Sequence, residues 1–258
     1  MRKEKGKKQM SIRQLRHLLS LGLLALTACI GDPAGTIHYH RWGVVREQPI
    51  RCIQTVDDRG VPYVISSADF ENREELREGD CCAVDFKTNF VETLADGVYK
   101  AEIFQYDTVA VWPVRESLTD TTAFLPDERF VTVDFGRSLY IAGRLFVQTQ
   151  HTDHQADQQD LFDLSYDPGQ VVEVDTAGHR IYNLFLRVRS LPGTGDSTKW
   201  IKASAFKIDD FLRKVRPAEE AQGESTIRFC LNYPLRYNSD TTAYLWGKTD
   251  PFALQFTE

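Results

Sequence analysis

The sequence predicts an all-β protein: an N-terminal OB-like small barrel followed by a C-terminal β-sandwich with one short helix. Three observations predict it. Apolar and polar residues alternate in short runs from Arg46 onward, the period of a half-buried strand. Turn-forming Gly, Pro, Asn and Asp separate those runs at the short spacing of barrels and sandwiches. A single segment, beginning at Ile208, carries the spacing of an amphipathic helix. At 258 residues, 42% apolar and 26% charged, the chain has ordinary globular composition and length for one large or two smaller cores.

The elements follow in order. Arg46 to Val56 and Val61 to Ser66 flank an Asp58-Arg59-Gly60 turn and read as a hairpin. Cys82 to Phe86 is a further strand, then Val98 to Phe104, and then a last one over Thr108 to Val114. Five or six short strands in this span fit a five-stranded, partly open OB-like barrel over residues 42–115. The polar, Pro-containing stretch "RESLTDTTAFLPDER" then breaks the alternation and predicts a linker over 116–129.

The second domain is expected over 130–258. It opens with Val131, Val133 and Phe135 alternating, continues with a strand over Tyr140 to Gln148, and then reaches the polar loop "TQHTDHQADQQD". Tyr182, Leu184, Leu186 and Val188 define one buried strand face, and Trp200 to Phe206 forms the next strand. Ile208, Phe211, Leu212 and Val215 fall at i, i+3, i+4 and i+7, so a short helix lays one face on the sheet and stops at Pro217. Strands over Thr226 to Tyr233, Thr242 to Trp246 and Phe252 to Phe256 complete the sandwich.

The N-terminus carries an address. Seven Lys and Arg residues precede the apolar run Leu18 to Leu26, which is too short for a span of about 20 residues and reads as the core of a secretory signal. It ends in "LTAC", Leu26 to Cys29, which resembles the lipobox of bacterial lipoproteins. That resemblance implies cleavage after residue 28, a diacylglycerol on the Cys29 thiol and an acylated new N-terminus. Residues 29–41, short, polar and Gly/Pro-containing, are expected to tether the anchor to the first strand. Each buried methylene favours the membrane by about 0.8 kcal/mol, so two or three chains hold durably.

Charge narrows the partners. The whole chain carries −6; without the seven basic residues and one acid of the leader, 24 basic and 36 acidic residues remain, or −12. An acidic chain lacks the counterion-release drive toward nucleic acid and is repelled by anionic head groups. Nucleic acid is therefore excluded as a partner, and membrane contact is expected from the acyl chains. Cys52, Cys81, Cys82 and Cys230 remain for the folded part, as three alternative disulfide pairings or as buried thiols.

The lipobox, the small barrel, and a sandwich containing "RIYNLFLRVRS", "WIKASAFKIDDFL" and "IRFCLNY" together resemble the NigD-like lipoproteins of Bacteroidetes. "LREGDCCAVDF" followed by "VYKAEIFQYDTV" is similar to the end of that family's OB domain, and "VDFGRSLYIAGRLFVQTQ" to the start of its sandwich. The resemblance implies a lipid-anchored protein of the cell envelope, at the outer membrane, with either membrane face open. It fixes the fold and the anchor more than the activity, and the expectation of a non-catalytic protein comes from the want of a catalytic motif.

Candidate chemistry is sparse. His151, Asp153 and His154 in the polar loop could offer imidazoles and carboxylates to a metal, which makes a metal-dependent or other envelope hydrolase the alternative function. No third ligand stands at a recognised spacing, so an exposed polar loop is the plainer reading. The acidic run Asp69, Glu71, Glu74, Glu75, Glu78 and Asp80 lacks calcium-loop spacing. In "LPGTGDSTKW" the glycines and lysine are out of register for a phosphate loop, and a hairpin turn accounts for them. Trp42, Trp112, Trp200 and Trp246 read as core residues before ligand platforms. The expectation is thus a non-catalytic binding or accessory module, with no cofactor and no catalytic or metal residues assigned, whose partners are the membrane through Cys29 and an envelope protein or glycan.

Overall fold

The structure, a computed structural model, describes residues 35–117 and 128–256. The signal peptide, Cys29 and the start of the tether lie outside these residues, as does most of the expected linker. No described helix is long and apolar enough to cross a membrane.

The first half is a barrel. Strands β1 (Thr36–Arg46), β2 (Cys52–Val56) and β3 (Pro62–Ser66) form an antiparallel meander, and a one-turn helix α1 (Ala68–Glu71) leads to β4 (Cys81–Thr88). Three further strands follow: β5 (Thr93–Ala95), β6 (Val98–Lys100) and β7 (Glu102–Val109). The sheet order is β5-β6-β3-β2-β1-β4-β7. Its two sides close on each other because β6 and β7 are one run broken only at Ala101. The first part pairs parallel with β3, and the second antiparallel with β4. That closure, with a helix between the third and fourth strands, is the OB arrangement the sequence predicts.

Local chemistry explains the turns. Asp57 accepts the backbone N–H of Arg59 and of Val61 at 2.8 and 2.9 Å, which fixes the β2–β3 hairpin around Gly60. Inside, Val45, Ile53, Ile65, Phe70, Leu76, Val84 and Phe86 are buried. Each such side chain contributes about 2 kcal/mol when fully removed from water.

Two boundaries differ from the sequence reading. Residues 36–41, assigned to the tether, are the first half of β1, whose pairing with β4 is interrupted by a bulge between His38 and Arg41. The strand expected over Thr108 to Val114 is two strands separated by Ala110. The second of them, β8 (Val111–Glu116), belongs to the other sheet. The chain therefore passes from barrel to sandwich through one residue, and the polar stretch after Glu116 joins two strands of the second half.

That half consists of β8 with β9 (Val131–Ile141), β10 (Arg144–Ala156), β11 (Gln159–Tyr166), β12 (Glu173–Val174), β13 (Arg180–Leu191), β14 (Thr194–Lys207), α2 (Asp209–Glu220), β15 (Thr226–Tyr237), β16 (Tyr244–Lys248) and β17 (Phe252–Gln255). The two layers of the expected sandwich are hydrogen-bonded into one sheet, β16-β15-β13-β11-β8-β14-β10-β9. Strand β8 joins them: Val111 to Pro113 pair with β14, and Val114 to Glu116 with β11. Leu145, Val147 and Phe206 from one layer meet Phe162, Leu164, Leu184, Leu186, Phe229 and Leu231 from the other.

Two expectations within this half are corrected. Tyr140 to Gln148 is not one strand but the end of β9 and the start of β10, joined by a two-residue turn at Ala142 (φ 48°) and Gly143 (φ 82°). The helix does not stop at Pro217 but runs to Glu220, since its buried face continues through Phe211, Val215 and Glu219. Glu219 accepts a 2.6 Å hydrogen bond from the Tyr182 hydroxyl, and its Oε1 lies 3.0 Å from Arg180 Nε.

The halves share a third core. Val44, Val56, Cys81 and Val109 of the barrel meet Ile141, Phe146 and Ala205 of the sandwich. Trp42 stacks on Phe146 with ring centroids 5.7 Å apart.

Candidate functional site

The residues singled out as possible metal ligands lie on a strand, not in a loop. Strand β10 extends to Ala156, and β14 pairs with it as far as Thr194, so the two form a ribbon. His151 sits opposite Trp200, and Asp153 points into solvent. Polar side chains on both faces of this ribbon hide its strand character in the sequence.

His151 and His154 do come together. Their rings lie edge to face with centroids 5.9 Å apart, and His154 stacks on Trp200 at 5.5 Å. Between the layers Asp160 has a fully buried side chain. Its Oδ1 accepts from the Ser190 hydroxyl at 2.5 Å and from Gln158 Nε2 at 2.7 Å. Its Oδ2 accepts from Lys202 Nζ at 3.3 Å. His154 Nε2 is also 3.3 Å from Oδ2 but is not aligned for a hydrogen bond.

Burial pulls the Asp160 carboxyl upward, yet the Ser190 and Gln158 donors and the charges of His151 and Lys202 hold it below the ordinary aspartate value. His151 is pushed the other way for its type. Burial lowers it to about 4, so the ring is neutral at pH 7, with Nε2 3.0 Å from Thr149 Oγ1.

A serine, two histidines and an aspartate in one place invite comparison with a nucleophilic triad, and the bonding pattern refuses it. An activated serine needs its hydroxyl against an imidazole and the carboxylate behind that imidazole. Here Ser190 donates straight to Asp160, and Ser190 is 1% exposed. A metal fares no better at the carboxylate, where the Lys202 ammonium already occupies the cation's place. Among the described residues no three His, Cys, Asp or Glu side chains are arranged to hold a metal. Lys202 and Ser190, the partners that decide this, lie 42 and 30 residues from Asp160, beyond what a motif could show.

The other candidates resolve into structural roles. In the acidic run, Glu78 accepts from Arg46 and from the Glu47 N–H, Asp80 accepts from the Arg77 N–H, and Glu75 accepts from the Tyr106 hydroxyl. Glu71 and Glu74 line an open cleft of about 390 Å³ with Glu47 and Arg51. "LPGTGDSTKW" is not a hairpin turn, because β13 and β14 do not pair with each other. It carries the chain from one layer to the other, and Gly193 packs so tightly on that edge that a Cβ would meet the Ala156 carbonyl at 1.9 Å. His38 stacks on Phe86, and His40 pairs with Asp85 at 2.9 Å.

The four described cysteines are free and buried. Strand β1 runs between β2 and β4 and so separates Cys52 from Cys81 and Cys82. Burial pushes the Cys52 and Cys81 thiols up to about 11 and Cys82 up to about 12, which makes them inert packing groups. Among the tryptophans, Trp42 is at the interface, Trp112 faces Phe162, and Trp246 packs on Phe185; Trp200 is 51% exposed.

One buried pair was not legible in the sequence. Arg187 makes two hydrogen bonds to Glu128, at 2.7 and 2.5 Å, with Tyr244 donating to the same carboxylate at 2.6 Å. Their side chains are 6% and 2% exposed. This pair fastens the chain entering β9 across β13 and β16.

Solved structures share this architecture. An uncharacterised protein from Parabacteroides merdae matches with a TM-score of 0.73 at 21% identity, over 86% of this chain and all of that one. A candidate lipoprotein from Bacteroides fragilis matches with a TM-score of 0.53 at 10% identity, over 86% of this chain and 99% of that one. The neighbours also include a NigD-like immunity protein from Bacteroides caccae, at a TM-score of 0.47 and 15% identity, over 87% and 99%. No protein-family model matches the chain, and no curated protein matches it. The likeness is one of fold, to proteins of Parabacteroides and Bacteroides.

Proposed function

We propose that this protein is a lipid-anchored component of the cell envelope, NigD-like in kind, that acts as a non-catalytic binding or accessory module. The observation that carries the non-catalytic part is the bonding at Asp160. Among the described residues, the cluster with the residue types of a hydrolase has its carboxylate bonded by Ser190, Gln158 and Lys202, and the hydroxyl that does face an imidazole, Thr149 Oγ1 at 3.0 Å from His151 Nε2, is 1% exposed. The "LTAC" lipobox supports the anchor, as does the fold shared with a candidate lipoprotein.

The rival is an envelope hydrolase with a metal at His151 and His154. It draws on the buried ring nitrogens His151 Nδ1 and His154 Nε2, which have no hydrogen-bond partner.

For the partner, the β10–β14 ribbon is the favoured contact, since Trp200 and Ile201, 51% and 57% exposed, leave an apolar side chain on each of its faces. Metabolic labelling with a fatty acid tests the anchor: the wild-type chain takes up label and enters the membrane fraction, and Cys29→Ser does neither. Label retained by Cys29→Ser overturns it. A photoreactive residue at position 201 crosslinks to one envelope component in intact cells, whereas one at Val171, in the same half, gives no specific product.

A further inference from the structure

We infer that the barrel has a membrane-contacting end: the rim formed by Ile37, Tyr39, Phe90, Val91 and Leu94 rests on the bilayer that holds the N-terminal lipid. The inference rests on the lipid-anchor reading and adds an orientation to it.

Three observations lead there. These side chains are exposed although apolar: Val91 is 73% exposed and Tyr39 67%, with Ile37, Phe90 and Leu94 at 38–45%. Apolar side chains turned outward at one end of a barrel are surface for a partner to cover. Second, the residues are brought together by the register. Ile37 lies opposite Lys87 near the end of β4, and the chain then turns through Phe90 and Val91 into β5. Phe90 has φ 55° and wedges its ring against His38, Tyr63 and Tyr99, so the loop carrying Val91 is held and not loose.

Third, this is where the chain leaves for the anchor. Gly35 abuts the same loop: a Cβ there would meet the Thr88 carbonyl at 3.0 Å and the Asn89 nitrogen at 3.3 Å. Five residues lie between Cys29 and Gly35, and whatever their conformation the two ends are no farther apart than about 22 Å. A lipid at Cys29 therefore keeps this end of the barrel at the head-group layer. Tyr39 supplies the amphipathic ring that such a layer favours.

The charges around the rim select the kind of lipid. Lys100 is neutralised by Glu92 at 2.7 Å, and Asp96 stands beside Leu94 on the β5–β6 turn. Lys87, opposite Ile37, adds one cation but no cluster among the described residues, so the contact is apolar insertion at a zwitterionic surface.

The test uses the full acylated chain in phosphatidylcholine vesicles, carrying an environment-sensitive fluorophore on Val91→Cys or, as a control on the sandwich, on Val171→Cys. The native thiols are buried and do not compete for the label. The expected result is a blue-shifted Val91 probe, quenched several-fold more by a bilayer-embedded nitroxide than the Val171 probe. Adding Tyr39→Ser and Leu94→Asp removes the difference while the protein still floats with the vesicles. Equal, weak quenching at both positions in a protein that floats overturns the orientation and leaves the anchor standing. A chain that does not float, matching its Cys29→Ser variant, overturns the anchor and the orientation together.

Discussion

The interior around Asp160 and the rim around Val91 break the usual partition of residues in opposite directions. At Asp160 a charged carboxylate and its polar partners are inside; at Val91 apolar side chains are outside. The first is closed at the carboxylate: each Asp160 oxygen already accepts from a donor within the chain. The second is open, with Val91 and Tyr39 73% and 67% exposed. Buried polarity at Asp160 is architecture, and the apolar rim at Val91 is the surface proposed to meet the bilayer.

The largest effect expected is at the other buried charge. Arg187→Ala takes both guanidinium hydrogen bonds from the buried Glu128 carboxylate and leaves its charge uncompensated beside the Tyr244 hydroxyl, and should cost about 3–5 kcal/mol in denaturant unfolding. A loss of less than about 1 kcal/mol would mean that buried polarity does not hold this fold together.

His151 makes the comparison depend on pH. Its native value, about 4, lies below the ordinary 6.5, so the unfolded chain takes up the proton first. Its contribution is complete above about pH 6.5, is lost as pH falls toward 4 and levels off below; the loss reaches roughly 3 kcal/mol. His38, also lowered by burial, adds the same sign, whereas Asp160, held below 3.8, adds its loss only at lower pH. Unfolding titrations of His151→Gln should show a shallower slope between pH 4 and 6.5 than wild type. An unchanged slope would place the titrating group elsewhere.

Asp160→Asn keeps the shape of the site but weakens its charge-assisted hydrogen bonds, and about 2 kcal/mol should be lost. The smallest effect sharpens the opposite region. Val91→Asp should leave stability within about 0.5 kcal/mol of wild type in solution. A large loss there would show that the rim is covered by the protein itself.

Much of the fold was legible because alternation survives where one face is buried, as at Tyr182, Leu184, Leu186 and Val188. It failed where alternation runs through a boundary. Thr108 to Val114 reads as one strand although Ala110 divides it between two sheets, and Tyr140 to Gln148 conceals a tight turn because Ala142-Gly143 lacks the usual Asn or Asp. The His151 cluster was half legible: the histidines stand together in the sequence, but Lys202 and Ser190, which make the site structural, come from distant strands. The rim was not legible, since Ile37 is brought to the loop of Phe90 and Val91 only by the pairing of β1 with β4.

The measurement that bears most directly on the central claim is metal content joined to thermal unfolding. Purified and dialysed protein should contain no stoichiometric zinc or calcium, and a chelator should leave its unfolding temperature unchanged. Retained metal that stabilises the fold and is lost in His151→Ala/His154→Ala would contradict the account, turning the closed polar cluster into a metal site and the accessory module into a candidate enzyme.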